Sequence, residues 1–213
     1  MWKSEQVMNE SEQLIRPRAL LFDMDGTLTR PLLDFARIRA DIGIAPGRPI
    51  LESIAEMNEP RRSQATAILE QHEETAARQS TLNDGAIEIL DWAREQHIGT
   101  ALITRNSRQS VATVLTRHGL RLDCVIARED GPIKPDPRPL LTACDRLGVD
   151  RQAAWMIGDG LHDIAAANAA QIRSVWISHR AGRSFAAVPW KSTSDLIELM
   201  VLLDSTVSSP PQG

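Results

Sequence analysis

Short, continuous apolar runs recur along the chain, separated by stretches in which apolar positions return every three or four residues. The runs are Ala19–Phe22, Gly99–Ile103, Cys124–Ala127, Ala154–Ile157 and Ser174–Ile177. Unbroken apolar character over four or five residues predicts strands covered on both faces, as in a parallel sheet. Their alternation with helical patterns predicts an α/β fold, a mostly parallel sheet wrapped by helices.

Several helical segments carry readable ends. Residues Ser107–His118 place Val111, Val114, Leu115 and His118 on one face, and Gly119 can supply a left-handed C-cap. Asp136 before Pro137 predicts an N-cap with proline opening the helix, which buries Leu140, Leu141, Cys144 and Leu147 and stops at Gly148. A last helix is expected at about Asp195–Leu203. The first two strands are separated by far more than one helix. Patterns at Leu32–Ile42, Pro49–Met57 and Pro60–Gln79 are punctuated by Gly43, Pro46, Gly47 and Glu59-Pro60, so a small helical insertion is expected over the end of the sheet. Its third helix carries a stripe of Ala65, Ile68, Leu69, His72 and Ala76, the spacing of core packing.

Ligands of an open parallel sheet bind beyond the carboxyl ends of its strands. There the sequence places Asp23 and Asp25, then Thr104, Arg105 and Asn106, then Lys134, and finally Asp159 and Asp163. Carboxylates, a hydroxyl and an ammonium delivered to one edge form the inventory of a magnesium-dependent phosphoryl-transfer site. Mg²⁺ takes hard oxygen ligands and keeps several waters. An ammonium adds positive charge against the phosphoryl oxygens, an aspartate can act as nucleophile, and a second carboxyl can shuttle the proton.

The segments D-M-D-G-T-L-T, I-T-R-N, K-P-D-P and G-D-G-L-H-D resemble, in order, the four motifs of the haloacid dehalogenase-like hydrolases, with the phosphoglycolate-phosphatase-like branch and its small helical cap as the nearest pattern. The resemblance implies a Rossmann-like three-layer core at 18–30 and 82–204, an all-helical cap at 31–81, and tails at 1–17 and 205–213. It implies Asp23 as nucleophile, Asp25 as general acid/base, Thr104 binding the phosphoryl group and Lys134 holding both nucleophile and phosphate. It further implies Mg²⁺ bound by Asp159 with Asp23 and Asp25, and by Asp163 directly or through water. Helix capping is an equal alternative for Asp163. Arg105 and Asn106 are candidate phosphate donors, with helix capping again the alternative for Asn106. The expected function is hydrolysis of a small soluble phosphomonoester through an aspartyl-phosphate. A sugar-phosphate mutase on the same fold is the alternative, followed by a non-catalytic binding protein, which would be expected to have lost a motif residue. A dehalogenase would lack Asp25, and a phosphonate hydrolase would need a lysine within residues 31–81, where there is none.

Composition narrows the partners. A net charge of −4 offers no basic field for nucleic acid or an anionic membrane. No apolar run approaches the length of a membrane span, the N-terminal stretch lacks a signal-peptide core, and Cys124 and Cys144 suggest reduced thiols, so a cytoplasmic protein is expected. The expected partner is a small phosphorylated metabolite. Arg48, Arg61 and Arg62 in the insertion are candidates to read a second anionic group on it, against the plainer reading as a solvated face.

Overall fold

A computed structural model describes residues 16–180 and 186–207. Six strands form one fully parallel sheet in the order β3-β2-β1-β4-β5-β6, with β1 at Ala19–Phe22, β2 at Gly99–Ile103, β3 at Cys124–Ile126, β4 at Ala154–Gly158, β5 at Arg173–Ile177 and β6 at Lys191–Thr193. The central strand β1 is buried on both faces. Leu20 and Phe22 point into one apolar layer with Leu102, Trp155 and Ile157, and Ala19 and Leu21 into the other with Ile103 and Met156. Helices α4 (Ala86–Glu95), α5 (Arg108–His118) and α8 (Leu196–Val207) cover the first layer, while α6 (Arg138–Leu147) and α7 (Leu161–Ala170) cover the second. The fold is therefore the three-layer α/β core that the motifs implied.

The apolar runs predict five of the six strands, β1 to β5, to within a residue at either end. The polar edge strand β6 and helix α4 lie outside those predictions. Helix α5 starts from Ser107, whose side chain accepts from the Ser110 amide, and ends at Gly119 with φ +64°, as its sequence implies. The expected N-cap at Asp136 is corrected: Pro137 occupies the cap, and Asp136 folds back to accept from the Arg138 amide and guanidinium instead. Helix α8 runs through Val207, past the expected start of the tail at 205; the remainder of both expected tails, 1–15 and 208–213, lies outside the described residues.

Between β1 and α4 stand three helices, α1 (Phe35–Ile42), α2 (Ile50–Ala55) and α3 (Arg61–Gln79), around their own apolar cluster of Ile38, Ile42, Ile44, Ile50, Ile54 and Leu69. The stripe expected on α3 is rotated. Ala65, Leu69, Glu73 and Ala77 are its buried residues, whereas Ile68 and His72 are only half-buried. Glu73 is a carboxylate in the middle of a packed face, and it is satisfied across the seam with the core. It accepts from the Ser107 amide at 3.0 Å, at the start of α5, and from the Arg128 guanidinium at 2.5 Å. Glu74 meets the Thr113 hydroxyl, and Arg117 donates to the Ser80 carbonyl, so α3 is riveted along the length of α5.

Burial raises the Glu73 pKa, with Arg128 opposing that rise. Removing one member of a buried pair strands the other charge, which costs about 3 kcal/mol or more. Glu73→Ala is expected to lower unfolding stability by about that amount in urea titration, and Glu73→Gln, which still accepts from the amide, by less. Equal midpoints for Glu73→Ala and wild type would remove this pair from the account.

Candidate active site

The carboxyl ends of β1, β2 and β4, with the loop after β3, converge on one cavity of about 390 Å³ between sheet and insertion. All eight strand-end residues singled out in the sequence line it: Asp23, Asp25, Thr104, Arg105, Asn106, Lys134, Asp159 and Asp163. A hollow of about 550 Å³ between α1 and α3, lined by Asp34, Arg37 and His72 among others, contains none of them.

At the centre is Lys134, fully buried. Its ammonium donates to Asp23 Oδ1 at 2.7 Å, to Asp163 Oδ1 at 2.6 Å and to the Ile103 carbonyl at 2.6 Å, using all three protons. Burial alone would lower its pKa, but Asp163 and Asp23 outweigh burial and the net shift is upward, so it stays charged. Asp163 does two jobs at once. Its second oxygen accepts from the Gly160 amide at 3.0 Å, capping the start of α7. The capping expected for this residue is thus present, and its other oxygen is turned to the ammonium.

Asp25 is held differently. Asn106 Nδ2 donates to one of its oxygens at 2.5 Å and the Thr29 hydroxyl to the other at 3.3 Å. Asn106 does not cap α5, because Ser107 does. Arg105 donates to the Lys134 carbonyl and to Glu52 of α2, both at 2.8 Å, which ties the insertion to the loop carrying the lysine. Thr104 is buried, and its hydroxyl accepts from the Asn106 amide.

The carboxylates of Asp23, Asp159 and Asp163 each bring an oxygen within 4.8 Å of the others. Asp25 stands outside this group, held by Asn106 and Thr29. One ammonium faces three buried or half-buried carboxylates, and among the described residues no lysine or arginine pairs with Asp159. The surplus negative charge is visible in the acidities. Burial, helped by Asp163 and Asp159, pushes Asp23 well up, and burial with Asp163 pushes Asp159 up to about 6. Hard oxygen donors in a site short of positive charge fit a divalent cation such as Mg²⁺.

Two glycines let these groups approach. Gly26 has φ +83°, and a Cβ there would collide with the Asp159 carboxylate. A Cβ on Gly158 would likewise strike Asp163. His179, in the loop after β5, donates to the Gly26 carbonyl and so steadies the same turn. Neither His179 nor Glu52 was among the residues singled out from the sequence. Glu73, which lines the cavity from α3, was hidden by the expectation of an apolar stripe, though its i,i+4 register with Leu69 and Ala77 marked it.

Arg48, Arg61 and Arg62 do not line the cavity. Arg48 pairs with Glu56, Arg61 donates to the Gly43 carbonyl, and Arg62 donates to the Met57 and Ala55 carbonyls, so they brace the insertion's loops. The anion-reading role considered for them is not supported by their position.

The haloacid dehalogenase-like hydrolase family model matches residues 17–171, across all four motifs. The chain belongs to the haloacid dehalogenase-like hydrolases. A haloacid dehalogenase-like hydrolase domain-containing protein of Arabidopsis thaliana is 30% identical over 159 residues, covering 70% of this chain and 65% of that protein. A phosphoglycolate phosphatase of Nitrosococcus oceani is 27% identical, covering 78% of this chain and 86% of the relative. In structure, a hydrolase from Pseudomonas syringae superposes with a TM-score of 0.75 at 20% identity, over 88% of this chain and 98% of that one. The family thus rests on the family model and the sequence relatives, and the structural likeness bears on the fold.

Asp159 gives a pH test of this charge imbalance. Its pKa is about 6 when folded, against an ordinary value of 3.8, so the folded protein holds the proton more tightly. The stability this supplies is full below the ordinary value and is lost as pH rises through about 6. In excess chelator, wild type is expected to lose on the order of 2 kcal/mol relative to Asp159→Asn between about pH 4 and 7. Parallel pH–stability curves for the two proteins would contradict the assignment.

Proposed function

We propose that the protein is a Mg²⁺-dependent phosphatase that hydrolyses a small soluble phosphomonoester through an aspartyl-phosphate on Asp23. The observation that carries this reading is the Lys134 clasp. It engages Oδ1 of Asp23, while Oδ2 accepts no hydrogen bond from any described residue and is left to attack phosphorus. In the first half-reaction Asp23 bonds to phosphorus as the ester P–O bond breaks, and the departing alkoxide takes a proton from Asp25. Burial raises the Asp25 pKa, which favours the protonated acid this step requires. In the second half-reaction the ionised Asp25 removes a proton from water, the water oxygen attacks phosphorus, and Asp23 departs as carboxylate. Asn106 and Thr29 position Asp25 for both transfers, and Thr104 binds the phosphoryl oxygens. Lys134, whose protons are held by Asp23, Asp163 and the Ile103 carbonyl, holds the nucleophile and adds positive charge beside the phosphoryl group. Mg²⁺ held by Asp23 and Asp159, with Asp163 behind them, would neutralise charge on the phosphoryl group.

The same reading takes residues 31–81 as a cap over a core of 18–30 and 82–204, supported by the insertion's separate apolar cluster. A small phosphorylated metabolite as substrate is supported by relatives named phosphoglycolate phosphatase. The buried free cysteines Cys124 and Cys144 are compatible with a reducing, cytoplasmic setting, and among the described residues no helix is long and apolar enough to cross a membrane.

The test is phosphate release from an aryl phosphate. Chelation is expected to abolish it and Mg²⁺ to restore it. Asp23→Asn, nearly isosteric, is expected to lower kcat on the order of a thousandfold or more with an unchanged fold. Near-normal turnover by this variant would rule out the aspartyl-phosphate route.

A further inference from the structure

The end of the cavity away from Asp23 is walled by the insertion, and its lining there is almost wholly apolar. Leu33, Phe35, Ile50, Leu51 and Leu69 face the space above the strand ends. Two charged residues of the insertion also reach it, and both are already engaged. Arg39 donates to the Arg48 and Phe35 carbonyls, at 2.7 and 3.0 Å, and the Glu73 carboxylate is taken by Ser107 and Arg128. On the core side, Arg105 donates to Glu52 and the Lys134 carbonyl, and His162 stands beside the strand-end residues. No serine, threonine, asparagine or glutamine of the insertion lines the cavity.

We infer that the substrate is a phosphomonoester whose organic group is apolar, an alkyl or aryl body rather than a polyol or a carboxylic acid. The inference rests on the phosphatase reading for the phosphoryl end, and on the insertion's side chains for the rest. An alkyl group entering the cavity removes its own surface and that of the leucine and isoleucine wall from water. A hydroxyl brought against the leucine and isoleucine side chains gives up water and finds no partner on them, at a cost on the order of tenfold in binding for each group. A carboxylate gives up more water than a hydroxyl on entering beside the same wall, and leaves the apolar side chains there without an apolar partner.

The experiment compares kcat/KM for a series of n-alkyl monophosphates, ethyl to hexyl, with glycerol phosphate and phosphoglycolate, using the full chain with Mg²⁺. Each added methylene is expected to raise kcat/KM about three- to fourfold until the cavity is filled. Hexyl phosphate should then exceed both polar esters by at least about tenfold. Phe35, which is 53% exposed, and Leu51, which is half-buried, can be changed with little demand on the insertion's packing. In Phe35→Ser/Leu51→Asn the gain per methylene is expected to shrink towards unity. A flat series, faster polar esters, or an unaltered slope in the double variant would each overturn the inference while leaving the phosphatase reading in place. If no ester released phosphate, that reading would fall. Calorimetric affinity for ethyl- against hexylphosphonate would then still decide the apolar wall, with a rise along the series supporting it and equal affinities refuting it.

Discussion

Everything at the sheet edge depends on one buried ammonium. Lys134 is sealed from water, and it pays for that desolvation by binding two carboxylates and a carbonyl from three separate segments. Because its three protons point in fixed directions, the ends of β1 and β2 and the first turn of α7 are set relative to one another by a single group. Breaking the clasp would leave Asp163 and Asp23 as buried charges with no cation beside them. The site is therefore not a set of side chains hung on a finished scaffold. It is one of the points at which the core is tied together.

The same tie leaves the sheet edge short of positive charge. Burial, with three carboxylates against one ammonium, raises the pKa values of Asp23 and Asp159, an imbalance that the rest of the fold does little to relieve. Glycine at 26 and at 158 allows the crowding in the first place, because any larger residue would occupy the volume of Asp159 or Asp163. Close approach of like charges is a cost in the empty protein and an asset once positive charge arrives. Local stability is thus exchanged for affinity at the place where chemistry is proposed.

Most of this was legible in the sequence because it is written in short segments whose meaning is local. An apolar run, then D-M-D-G-T, states a strand and the two carboxylates at its end, and the structure brings all eight strand-end residues to one cavity. What escaped was non-local or weakly patterned. Strand β6 is K-S-T, whose lysine and serine are exposed at the sheet's edge, so no apolar run announces it. Helix α4 has Ala86, Ile89, Leu90 and Ala93 at helical spacing, yet it lies between the insertion and β2, where no strand end drew the eye. The partner of Glu73 lies 55 residues away, and no local spacing reveals it. Arg48, Arg61 and Arg62 misled because arginine at a helix start suits an anion and a loop carbonyl equally well. Only their neighbours decide between the two.

The insertion is gripped unequally on its two sides. Helix α3 is fixed to the core by the buried Glu73–Arg128 ion pair, at the turn after β3, and by polar bonds to α5, whereas α2 meets the core through Arg105 and a Glu52 whose side chain is 41% exposed. A half-exposed pair of that kind contributes at most about 1 kcal/mol, several times less than a buried one costs to break. Thermal motion will therefore part the α1–α2 side long before the α3 seam gives way. The weaker grip lies on the side of the cavity that Phe35 lines, and the stronger one along α3.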